Sequence, residues 1–157
     1  MIVNYSDNIV LKGKSSIFLA GPTIRKEQEA DLKKESWRKE AISILNELNF
    51  DGIVYVPEYE KMKGFVEKDA QFEWEWNALH SSSVIVFWIP RKFPELPAMS
   101  TNVEFGFYVS SGKPIIYGRP NDSDKHYYLD KLYEKVLNKT PFNNLKDTLI
   151  EAIKELQ

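Results

Sequence analysis

Residues 84–90 read Val84-Ile85-Val86-Phe87-Trp88-Ile89-Pro90. No polar side chain interrupts the run, so neither face of a strand built from it suits water. That pattern marks a central strand of a parallel sheet covered on both sides, not an alternating antiparallel strand. Three shorter runs repeat it: Ser16-Ile-Phe-Leu-Ala20, Ile53-Val-Tyr-Val-Pro57 and Pro114-Ile-Ile-Tyr-Gly118. The first runs straight into Gly21-Pro22, and the others close on Pro57 and Gly118, all turn residues.

Helical patterns fill the intervals. From Ser36 to Leu48, the residues Trp37, Ala41, Ile44, Leu45 and Leu48 share one face. Asp69 to Ser81 reads as a helix rich in Trp and Glu, and Thr101 to Gly112 as a short helix with Gly112 at its end. Two amphipathic helices follow, near 127–137 and 143–156; Leu145, Leu149, Ile153 and Leu156 line one face of the second. Residues 58–68 and the proline-rich 91–100 read as loops, and Arg25 to Lys34 as a charged stretch. Strand and helix alternate, which predicts an α/β three-layer sandwich around a central, mostly parallel sheet of four to five strands. One domain is expected over 1–157, with 1–15 a polar N-terminal extension holding a short strand at Ile9-Val10-Leu11.

Composition removes several function classes. The 157 residues carry 21 Lys+Arg against 23 Asp+Glu, a formal net charge of -2. A binder of nucleic acid polymers or anionic membranes normally shows a basic excess. There is no cysteine, so disulfides, thiol nucleophiles and thiolate metal sites are excluded. The two histidines, His80 and His126, have no metal or triad spacing. His80 reads as a dipole partner at the end of its helix and His126 as an exposed loop residue. No apolar run reaches membrane-spanning length and no signal-peptide pattern opens the chain, so a cytoplasmic protein is expected. Aromatics make up 13% of residues, and three of the four Trp fall between Trp74 and Trp88. Such clustering points to a dense core or a flat-sided pocket.

In open α/β sheets, ligands sit at the carboxyl ends of the strands. Here those ends lead into Gly21-Pro22-Thr23, Pro57-Glu58-Tyr59, Pro90-Arg91 and Gly118-Arg119-Pro120. Glu104, within Thr101-Asn-Val-Glu-Phe-Gly106, is predicted in the first turn of its helix. There the free N–H groups favour the anion, which suits a nucleophile. The competing reading is a capping glutamate reaching back to Thr101. Glu73 and Glu75 stand two apart on a helix, so at most one faces a site; alternatively both are solvated and the flanking Trp are core. Two carboxylates in different environments are the usual equipment for breaking a glycosidic bond. Gly21-Pro22-Thr23 lacks any dinucleotide or P-loop pattern, so no cofactor is expected.

Ser16-Ile-Phe-Leu-Ala-Gly-Pro-Thr23, the Ser36-Trp-Arg helix, Asp69 to Trp76, the Val84 to Arg91 strand and Thr101-Asn-Val-Glu-Phe-Gly106 follow one another as in proteins of the nucleoside 2-deoxyribosyltransferase-like family. The resemblance covers about residues 16–120. It implies a flavodoxin-like fold, no cofactor, and a homo-oligomer whose partners are a nucleoside or nucleotide and a free nucleobase. It implies further that Glu104 attacks C1′ of a deoxyribose and that Glu75 assists the leaving base. Asn102 and Arg91 become substrate contacts, with Gly21, Pro22, Thr23, Glu58, Thr101 and a stacking Trp76 completing the expected site. Three features depart from the family pattern: Phe18 stands where its enzymes carry a tyrosine, Ser82-Ser83 where they carry an aspartate, and Pro97-Ala-Met-Ser100 supplies no acid before the nucleophile. Transfer of the sugar to another base, hydrolysis of a deoxynucleoside 5′-monophosphate, and nucleotide binding without catalysis are the three functions the residues leave open.

Overall fold

The computed structural model describes residues 1–13, 15–24, 35–60 and 67–157. Five strands, β1 (Ile2–Tyr5), β2 (Ser16–Ala20), β3 (Ile53–Val56), β4 (Val84–Trp88) and β5 (Ile115–Gly118), form one parallel sheet in the order β1-β3-β2-β4-β5. The helices are α1 (Trp37–Glu47), α2 (Lys68–Ser81), α3 (Met99–Tyr108), α4 (Tyr127–Leu137) and α5 (Leu145–Lys154). The expected α/β three-layer architecture is present, and the sheet is parallel throughout.

Alternation along the strands sorts the core into two layers. Phe18, Tyr55, Ile85, Phe87 and Tyr117 face α2, α3 and α4, meeting Trp74, Ala78, Phe105 and Tyr133. Ile17, Leu19, Val54, Val86 and Ile116 face α1 and α5, meeting Trp37, Ala41, Leu45, Leu145 and Leu149. Every residue of β4 is buried, as its unbroken apolar run requires. Trp88, 6% exposed, is core.

The N-terminal strand lies elsewhere than expected. Ile2–Tyr5 pairs in register with Ile53–Val56, whereas Ile9 is 88% exposed and residues 9–11 form no strand. Asn4 decides this: it is buried at 2%, donates through Nδ2 to Ile9 O (3.1 Å) and accepts from Leu11 N (3.2 Å). A buried amide satisfied by chain segments 5 and 7 residues later folds 5–11 into a loop. The charged stretch 25–34 and most of the loop expected over 58–68 (residues 61–66) lie outside the described residues.

β2 runs to β3 on one side, while β4 lies on the other side of β2. The strand order thus reverses at the carboxyl ends of β2 and β4, where the turns diverge and leave a crevice.

Candidate active site

The crevice is real and wide: a cleft of about 1040 Å³ opens there, lined by the turn after β2, the turn after β3, the start of α1, one face of α2 and the start of α3. Of the expected site residues, Gly21, Pro22, Thr23, Glu58, Glu75, Thr101 and Glu104 all line it.

Its floor is built around Arg38, 1% exposed. Ser36 caps α1 by accepting from Arg38 N (3.2 Å), and the Arg38 side chain lies under the β2 turn. There Nε donates to Leu19 O (2.9 Å), Nη2 to Gly21 O (2.7 Å), and Nη1 to Thr23 Oγ1 (3.0 Å) and Glu58 Oε1 (2.6 Å). Ser36 Oγ adds a 2.7 Å bond to the same Glu58 oxygen. Sequence reading missed this role: it used Arg38 only as part of a helix motif, and nothing in helical spacing says that an arginine beside an apolar stripe turns inward. Gly21 is required for a different reason. A Cβ there would lie 2.2 Å from Trp88 O and 2.8 Å from Trp37 Cζ2.

The two carboxylates come from α2 and α3. On α2, Trp74, Ala78 and Leu79 face the core, Glu73 is exposed, and Glu75 turns to the cleft. One of the pair faces the site, as the helical offset requires. Gln71, one turn earlier, donates to Glu75 Oε1, and Gln71 Oε1 is buried with no partner among the described residues. On α3, Thr101, Phe105 and Tyr108 are buried and Glu104 enters the cleft beside them.

Glu104 does not sit in the first turn. α3 begins at Met99 after Ala98, a left-handed residue with no capping side chain, so Thr101 is buried inside the helix and caps nothing. The capping-box alternative therefore fails, and so does dipole stabilisation, which fades beyond the first turn. Burial instead pushes the Glu104 carboxyl up to about 7, with the Glu75 charge adding to the effect and Arg38 opposing it. Burial also raises Glu75, against Gln71 and Arg38. Burial, then Glu104, raise Tyr108, whose hydroxyl lies 3.1 Å from His80 Nδ1.

Three expected contacts lie elsewhere. Trp76 follows Glu75 by one helical step and so points away from the cleft, among Phe72, His80 and Phe107 on the outer surface. Arg91 is buried at 3%, donating to Lys125 O (2.9 Å) and to Asn102 Oδ1. That bond ties Asn102 to Arg91, and neither lines the cleft. His80 occupies the last turn of α2, as its reading proposed. His126 does not dangle: its Nδ1 lies 2.9 Å from Asp130, which also pairs with Arg119 at 2.6 Å and accepts from Tyr117. Phe18, in the tyrosine's place, is 1% exposed and lines the cleft without a hydroxyl. Ser83 and Ser16 bond to one another (3.2 Å) at the opposite end of β2. Among the described residues, no group of acidic or histidine side chains could hold a metal, and no helix is long and apolar enough to cross a membrane.

No curated protein matches the chain. A family model described as nucleoside 2-deoxyribosyltransferase like matches residues 14–121, the span that runs from β2 through β5 and supplies every cleft residue named above. The match covers well over half of the chain, and the chain belongs to the nucleoside 2-deoxyribosyltransferase-like family.

Proposed function

We propose that this protein cleaves the N-glycosidic bond of 2′-deoxynucleosides and passes the sugar to a second base through a covalent ester on Glu104. The observation that carries the reading is the pair of half-buried carboxylates, Glu75 and Glu104, facing one cleft at the topological switch point. Ionised Glu104 attacks C1′. The C1′–N bond breaks with its electron pair going to the base nitrogen, which takes the proton of Glu75. The acceptor base then attacks C1′, the ester bond returns its electrons to Glu104, and the incoming N–H proton restores Glu75. Two inversions leave the anomeric configuration retained.

In the free cleft, burial and the Glu75 charge favour the proton on Glu104 near neutrality. The reaction needs it on Glu75, so the pair must exchange one proton before attack. A developing positive charge at C1′ favours that exchange, because it stabilises the Glu104 anion in a poorly solvated place.

A second reading, hydrolysis of deoxynucleoside 5′-monophosphates, is favoured by one feature: α3 starts without a capping side chain, and Met99, Ser100 and Thr101 line the cleft there. The same reading of the family includes assembly of identical chains and a place in cytoplasmic nucleoside salvage. Supporting assembly, Phe72, Trp76, Met99, Val103 and Phe107 leave an exposed apolar face on α2 and α3.

The test is product analysis after incubation with 2′-deoxynucleosides or their 5′-monophosphates, with and without a free acceptor base. A new nucleoside formed only with acceptor present is expected. Free base released from monophosphates alone selects hydrolysis, and binding without any product selects a non-catalytic role.

A further inference from the structure

Residues 1–13 lie outside the family match, yet they touch both walls of the cleft. We propose that Asn4 is a positioning residue for the cleft carboxylates: it folds the 5–11 loop into a clamp that sets α2, and with it Glu75, against the turn that carries Glu58. The inference rests on the functional reading above only for its consequence in catalysis; the clamp itself is geometric.

Asn4 closes the loop through both of its amide atoms. The loop then offers two carbonyls to Trp74 and Tyr55, and one amide and one carboxylate to the turn after β3. Trp74 Nε1 donates to Asn8 O (2.8 Å), and Tyr55 OH donates to Leu11 O (2.6 Å). Ser6 N donates to Glu58 O (3.0 Å), and the Asp7 carboxylate accepts from Glu60 N (3.3 Å). Trp74 packs between Phe18 and Tyr55, with ring centroids 6.4 Å from each. A buried ring held by packing on two sides and a hydrogen bond at its edge cannot rotate without breaking one of them. Since Glu75 is the next residue on the helix, the setting of Trp74 is the setting of Glu75. A loop from the sheet's edge strand therefore fixes α2 and the Glu58 turn relative to each other.

The test uses the full chain carrying Asn4→Ala, with Asn4→Asp as the variant that keeps the acceptor for Leu11 N. Carbon NMR of labelled glutamate carboxyls follows the titration of Glu104 and Glu75, alongside kcat and KM for base release. In folded Asn4→Ala, the Glu104 midpoint is expected to fall toward the ordinary carboxylate range, because Glu75 retreats and water enters. Asn4→Asp is expected to fall between it and wild type, and kcat to drop more than KM rises. If Asn4→Ala does not fold, Trp74→Phe, which removes the indole donor to Asn8 O and leaves a smaller aromatic ring between Phe18 and Tyr55, takes its place with the same expected shift. Unchanged midpoints in the folded variant overturn the clamp. Shifted midpoints in a protein without turnover uphold the clamp and refute the proposed activity instead.

Discussion

Glu104→Gln should make this protein more stable, and only at higher pH. The carboxyl stands at about 7 in the fold against an ordinary value of 4.5. A group held above its ordinary value binds its proton more tightly folded than unfolded. Between the two values the folded chain therefore carries more protons, and stability falls as pH rises. The penalty is absent below 4.5 and complete above about 7. At about 1.4 kcal/mol per pKa unit the shift corresponds to ~3 kcal/mol, and ~2 kcal/mol after allowing for the half-buried carboxyl's contact with water. Glutamine has nearly the same shape and cannot ionise, so it escapes the penalty while losing the proposed nucleophile. Urea unfolding of both proteins at about pH 4 and about pH 8 reads the difference directly. Near-equal stability at the lower pH and a variant more stable by ~2 kcal/mol at the higher is expected. Parallel stability curves across that range would refute the placement of Glu104 in a desolvated, like-charged site. A substitution that stabilises the fold while removing the proposed nucleophile is what a desolvated functional carboxylate produces.

Other outcomes follow from the same geometry. Glu75→Gln removes a like charge, so the Glu104 titration midpoint should fall, while loss of the proposed proton donor should cut kcat by ~10²–10⁴-fold; NMR titration and steady-state kinetics check the two halves. Arg38→Ala leaves Glu58 and the carbonyls of Leu19 and Gly21 without their buried donor, at a cost of ~3–5 kcal/mol in chemical denaturation. Gly21→Ala forces a Cβ to 2.2 Å from Trp88 O, and a destabilisation of at least ~1–3 kcal/mol should appear as a lowered Tm. Trp76→Glu places a charge in the exposed aromatic face without touching the cleft, so it should break the proposed assembly, read as a lower mass in sedimentation, while leaving the helix content unchanged.

Legibility in the sequence followed burial. β4 could be read because it is apolar on both faces, and a strand of that kind has one home in an α/β sheet. β1 could not, because Ile2–Tyr5 holds its place by pairing with β3 and by one buried asparagine, neither of which leaves a periodic trace. Helix geometry, which is local, limited the site to one of Glu73 and Glu75, and the family resemblance pointed to Glu75. The start of α3 was misjudged at Thr101 because a capping box is the commoner way to begin a helix, and here the left-handed Ala98 begins it without one. Arg91 and Asn102 are expected at the site by nearness in sequence, and Trp76 as an aromatic surface on which a base could stack. One helical step turns Trp76 outward, and Arg91 and Asn102 bond to each other away from the cleft. Arg38 stayed hidden because its partners are backbone carbonyls of the β2 turn, which only the folded chain brings within reach.

The most direct measurement is the mass of the protein quenched during incubation with a 2′-deoxynucleoside. One deoxyribosyl group on the peptide that carries Glu104, absent in Glu104→Ala, is the predicted result. Base release at the wild-type rate by Glu104→Ala would contradict the account.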